Sequence, residues 1–210
     1  MMTTMKQTGR AAAASGILML AGVEGEWVLN PQADDGTVTN MPVFALLLLT
    51  ATSGFVLLLF AVRGLRTATA TTRATRAGSL LSLVGAGLLA GFGMTSLVTS
   101  IVLGSPAEIG FLAFLVGMLL LAVGPITWAL GMRRLAPAPR AWQPLLLAGV
   151  AAFAALAVEA DPWHDLSLVT MFLAWTGLGV LLLRTLPVPT QGDGARQPSG
   201  RGRLEGPATC

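Results

Sequence analysis

Apolar residues along this chain come in long, nearly unbroken runs separated by short polar turns. Six runs match the ~20 residues that an α-helix needs to cross a bilayer. They cover residues 11–28, 42–62, 78–103, 109–131, 142–158 and 162–183. The first is the weakest, because Glu24 and Glu26 interrupt it. Barrel strands would be about 10 residues of alternating polarity, and these are continuous Leu, Ala, Gly and Val. Hydrocarbon offers no partner to backbone N–H and C=O groups, so helices, which satisfy them internally, are the solution. The pattern predicts an all-α polytopic integral membrane protein with six transmembrane helices, arranged as three helical hairpins.

The polar turns carry a strong charge asymmetry. Lys6 and Arg10 precede the first run; Arg63, Arg66, Arg73 and Arg76 separate the second from the third. Arg133, Arg134 and Arg140 lie between the fourth and fifth, and Arg184, Arg196, Arg201 and Arg203 follow the sixth. In a six-span arrangement all 13 basic residues fall on one side. Asp34, Asp35, Glu108, Glu159, Asp161 and Asp165 fall on the other, with Glu24 and Glu26 near it. Short basic loops stay cytoplasmic, so both termini are expected inside, in the cytoplasmic membrane of a bacterium.

Composition narrows the class further. Of 210 residues 54% are apolar and 11% charged, against about 25% charged in an average soluble domain. A disulfide-stapled scaffold, a disordered charged chain and an ordinary cytosolic enzyme are all excluded. The net charge of +3 is spread along one membrane rim without aromatic interleaving. It therefore implies contact with anionic lipid headgroups and no nucleic-acid partner.

Three segments follow: a short cytoplasmic N-terminus (1–10), a membrane domain (11–186) and a basic tail (187–210). The tail is rich in Pro, Gly and Arg, lacks apolar periodicity, and is expected to be disordered and cytoplasmic. Its last residue, Cys210, is the single cysteine and comes too late for a prenylation box. The first run also fits the outline of a signal peptide, but no small-x-small cleavage site follows it, which favours an uncleaved helix. A repeat is visible as well. Arg10-Ala11, Arg76-Ala77 and Arg140-Ala141 each open a run, at spacings of 66 and 64 residues; hairpin triplication and the topology rule alone both account for this.

Small residues mark helix-packing faces. Gly87 and Gly91 are four apart in the third run, as are Ala86 and Ala90, and either pair admits close helix approach. Such a face serves a homo-oligomer seam or packing within the bundle. Ala148, Ala151, Ala152 and Ala155 repeat the theme in the fifth run, and Gly124-Pro125 predicts a kink in the fourth.

Glu24 is the sharpest candidate for chemistry. Lying ~20 Å of helix rise beyond Arg10, it falls within the far half of the bilayer, where an ionisable group marks an ion path or a polar partner. Thr95, Ser96, Thr99 and Ser100, together with Ser167 and Thr170, lie at similar depth and complete a candidate polar vestibule. The alternative is an interfacial helix exit, with Glu24 and Glu26 hydrated beside Trp27. Residues 159–165 gather Glu159, Asp161, His164 and Asp165, a possible metal-ligand set whose spacing fits no standard motif. The missing spacing favours a solvated turn with Trp163 at the interface.

One histidine and one cysteine cannot supply bis-histidine haem ligation or a redox thiol pair. No hydrolase elbow, zinc-protease motif or phosphate loop is present. The sequence therefore predicts no cofactor, no metal and no catalytic residue. Three functional classes stay open. An accessory protein that packs against a membrane-protein partner or another copy needs no chemistry; a small-solute or proton-coupled transporter or channel subunit would use the vestibule; an intramembrane enzyme has least support.

Overall fold

The computed structural model describes residues 2–29, 40–103, 111–135, 140–158 and 162–184. The described residues form six helices and no strand: α1 (Met2–Leu29), α2 (Met41–Thr69), α3 (Arg73–Leu103), α4 (Phe111–Arg133), α5 (Trp142–Ala157) and α6 (Trp163–Arg184). Each apolar run has become one helix. Four of them (α2, α3, α4 and α6) are long and apolar enough to cross a membrane. The 16 residues of α5 rise only about 24 Å at 1.5 Å per residue, short of the ~30 Å hydrocarbon core. In α1 the apolar stretch is diluted by Lys6, Arg10 and Glu24.

Local chemistry explains the boundaries. Asn40 caps α2, its side chain accepting from the Val43 N–H at 3.3 Å, and a proline occupies the first turn, where its missing N–H costs nothing. α3 starts on a reciprocal cap: the Thr75 N–H donates to Thr72 Oγ1 at 3.2 Å, and the Thr72 N–H donates to Thr75 Oγ1 at 2.9 Å. This is the logic of a capping box with threonine in the return position. α4 runs without interruption through Pro125. α1 begins at Met2 rather than at residue 11, and its added turns are held by packing, with Thr8 buried.

The helices close into a ring. Each packs principally on its two neighbours in sequence, and α6 returns to pack on α1. Neighbours run antiparallel: Thr8 near the start of α1 meets Gly64 near the end of α2, and Gly9 meets Gly179 and Leu183 at the end of α6. The basic residues Lys6, Arg10, Arg63, Arg66, Arg73, Arg76, Arg133 and Arg184 thus gather at one end, here the basic end. Glu24 and Asp165 lie at the other.

Close seams come from glycine. A Cβ on Gly22 would stand 2.5 Å from the Ala51 nitrogen, and one on Gly124 would stand 2.6 Å from the Ser82 nitrogen. At the α1–α6 seam, a Cβ on Gly9 would reach the Gly179 carbonyl at 3.0 Å. Backbones that approach this closely gain dispersion contacts, which is what holds helices together where no hydrophobic gradient exists. The ring's interior is filled by large side chains, with Met19, Leu58, Leu121, Trp128, Leu145, Phe172 and Trp175 essentially inaccessible. Its exterior is apolar on every helix, including Ile17, Phe60, Val84, Leu112, Phe153 and Leu173. Exposed apolar surface of that extent marks a membrane or interaction surface.

Candidate functional site

A cavity of about 210 Å³ lies inside the ring toward the acidic end, between α1, α2, α3, α4 and α6. Its walls are apolar: Val23, Leu48, Phe55, Leu89, Met118 and Leu168 are among them. Phe92 and Phe114 close one side, their ring centroids 5.4 Å apart at 49°, within the range favoured by tilted aromatic pairs. The polar side chain on the wall is Thr52. Its hydroxyl donates to the Leu48 carbonyl at 2.7 Å and packs directly against Gly93.

A polar cluster flanks this cavity. Glu24 follows Val23 on α1, and Asp165 precedes Leu168 on α6 by about one turn. Glu24 lies within electrostatic reach of both Asp165 and His164. Glu24 Oε1 and Asp165 Oδ1 are shielded from solvent and have no hydrogen-bond partner, an arrangement that polar groups in folded proteins ordinarily avoid. Asp165 gains some compensation from its place in the first turn of α6, where the helix dipole favours negative charge.

His164 has a structural task. Its Nδ1 is 2.9 Å from the Ala155 carbonyl, and a carbonyl only accepts, so Nδ1 carries the proton. That bond satisfies one of the final carbonyls of α5, which have no intrahelical donor. Among the described residues no three His, Cys, Asp or Glu side chains are grouped to hold a metal ion. Glu159 and Asp161 lie outside the described residues, as do the side chains of Glu26 and Trp27.

The remaining vestibule candidates fall in two places. Ser167 and Thr170 share α6 with the cluster, and their hydroxyls donate to the Trp163 and Leu166 carbonyls at 2.8 and 2.7 Å. The α3 group stands across the ring, since α3 packs on α2 and α4 rather than on α1 or α6. Within it Thr95 is exposed and donates to the Gly91 carbonyl, while Thr99 donates back to Thr95 and Ser96. Ser96 and Ser100 are buried, and Ser100 Oγ has no partner.

The small-residue pairs also separate. Ala86 and Ala90 are buried in the ring. Gly87 meets nothing closer than Leu59 at 3.8 Å, and Gly91 has nothing within 4 Å of a would-be Cβ. With exposed Thr95 they form an open stripe on the outside of α3. Ala148, Ala151, Ala152 and Ala155 all face inward.

Sequence reasoning missed Thr52, Trp128 and Thr69. Trp128 Nε1–H donates to Thr69 Oγ1 at 3.0 Å, and that hydroxyl donates in turn to Leu65 at 2.9 Å. A tryptophan five residues from a helix end reads as an interfacial anchor; nothing local signals that it turns inward. Compared with known proteins, the chain matches no family model, no curated protein and no solved structure.

Proposed function

We propose that the protein is a six-span integral protein of the bacterial cytoplasmic membrane, with both termini cytoplasmic. In that membrane it acts as an accessory subunit, packing laterally against a partner membrane protein or a second copy. The observation that carries this reading is the open Gly87–Gly91–Thr95 stripe. Most glycines in the bundle are wedged against a neighbouring helix, but Gly91, like Gly177 on α6, meets nothing, and only Gly91 has a second glycine, Gly87, one turn away on the same helix face. A groove of small residues facing lipid is what a second transmembrane helix needs for close approach. The separation of basic and acidic ends supports the orientation, and the packing of α1 against both α2 and α6 supports its place as a span.

The test is cysteine crosslinking in native membranes. In a Cys210→Ser background, Gly91→Cys carrying a thiol-linked benzophenone is expected to yield a photo-adduct with a partner or a second copy. Val150→Cys, exposed on α5, serves as the comparison. Equal adduct yields at the two positions, or none at Gly91, would count against the stripe as an interface. Orientation is tested separately by a periplasm-only reporter fused after Arg203, which is expected to be silent.

One observation favours a second reading as a transporter or channel subunit. Unpartnered oxygens on Glu24 and Asp165 flank an internal cavity, and ionisable groups at such depth mark ion pathways. Under that reading Glu24→Gln abolishes proton- or solute-dependent flux in proteoliposomes at unchanged protein level. Undiminished flux would remove it.

A further inference from the structure

We propose that the groove between α1 and α2 at the basic end binds one anionic phospholipid of the adjacent leaflet. The inference rests on the membrane reading above. The groove measures about 430 Å³ and is bounded by Gln7, Thr8 and Ala11 on one side and the Leu57–Thr67 face of α2 on the other. On α2 the lining positions 57, 60, 63, 64 and 67 are spaced at three and four residues, so they form one stripe about 15 Å long.

Along that stripe the chemistry changes in a single direction. Ala11, Leu57 and Phe60, the last 61% exposed, make the deeper part apolar. Gln7, Arg63 and Thr67 make the end nearest the basic rim polar. A lipid has the same order over the same distance, headgroup first and acyl chain below. The Arg63 guanidinium is exposed, and no hydrogen bond, ion pair or ring contact engages it among the described residues. Its five donors suit a phosphodiester. The Gln7 amide adds two more, and it too is exposed. Thr67 contributes shape rather than a donor, because its hydroxyl proton goes to the Gly64 carbonyl at 2.7 Å. Thr8 packed on Gly64 forms the floor.

Charge complementarity selects the occupant. A free cationic donor set above an apolar trough rejects an apolar peptide and leaves a zwitterionic lipid with an unmatched positive group. A phosphatidylglycerol-type lipid satisfies both halves.

The experiment uses the full chain in neutral detergent, with native mass spectrometry after adding phosphatidylglycerol or phosphatidylcholine of matched acyl chains. Wild type is expected to retain one phosphatidylglycerol in preference to phosphatidylcholine. Arg63→Gln should reduce that preference to parity, and Ala11→Phe, which fills the trough, should lower retention of both lipids. Arg184→Gln, at the same end but on α6, should leave the preference intact. Intrinsic tryptophan fluorescence checks that each variant is folded. Equal retention of both lipids by wild type, or a preference indifferent to Arg63→Gln, overturns the proposal. Displacement of the lipid by millimolar inorganic phosphate alone would also overturn it, since the site would then recognise phosphate without a chain. Release of the protein from membranes by alkaline carbonate would instead defeat the membrane reading, whatever the lipid result.

Discussion

The Thr8 side chain occupies the space that a Cβ on Gly64 would need. The same relationship joins Thr75 to Gly131 in the next hairpin, with both partners displaced by 67 residues along the chain. Ser15 and Ser82 share this displacement; both are fully buried, and their hydroxyls donate to the Ala12 and Gly78 carbonyls. The α1–α2 and α3–α4 hairpins therefore share a packing register, close to the 66-residue spacing of Arg10-Ala11 and Arg76-Ala77. The α5–α6 hairpin departs from it, because α5 is only 16 residues long.

Glycine substitutions should separate seam from open face. Gly64→Ala drives a methyl into Thr8 and should cost about 1–3 kcal/mol, the usual range for overpacking. Adding Thr8→Ala should return part of that loss, since the two positions share one space. Gly91→Ala meets nothing and should be neutral or gain up to about 1 kcal/mol from helix propensity. Thermal melts in detergent, followed by tryptophan fluorescence, measure all three.

The Trp128–Thr69 bond crosses from α4 to α2, helices that are not neighbours in the ring. Thr69→Val strands a buried indole N–H and should destabilise by about 1–3 kcal/mol. Trp128→Phe should cost a similar amount through the lost bond and a smaller ring. The double variant should fall well short of the sum. Full additivity would mean that the bond contributes nothing.

His164 holds the end of α5, so His164→Ala should loosen the last turn of that helix. Loss of one neutral hydrogen bond amounts to about 0.5–1.5 kcal/mol. Hydrogen exchange should quicken at the amides of Leu156–Val158 while the α2 amides keep their protection. Asp165→Asn, which leaves the Nδ1–H bond untouched, should not reproduce the effect.

Hydropathy alone determined that the described residues are all-helical and most of where the helices fall. Six apolar runs became six helices because backbone in an apolar medium has few other solutions. Their ends moved by up to nine residues where caps or packing extended them, as Thr72 with Thr75 did for α3 and Thr8 did for α1. Charge bookkeeping also placed the basic residues at one end, since antiparallel neighbours alternate. What tertiary structure decided was facing. Ala86 and Gly87 are adjacent and both small, yet one is sealed in the ring while a Cβ on the other would meet only Leu59, at 3.8 Å. In a helix with apolar residues all round, periodicity cannot tell lipid from neighbour. The vestibule candidates met the same limit. Glu24 was legible as unusual, but its companions, His164 and Asp165 rather than the α3 hydroxyls, depend on α6 closing back onto α1. Nothing local encodes that closure, because it rests on backbone approach at Gly9, Gly16 and Gly179, residues whose spacing looks like that of many apolar helices.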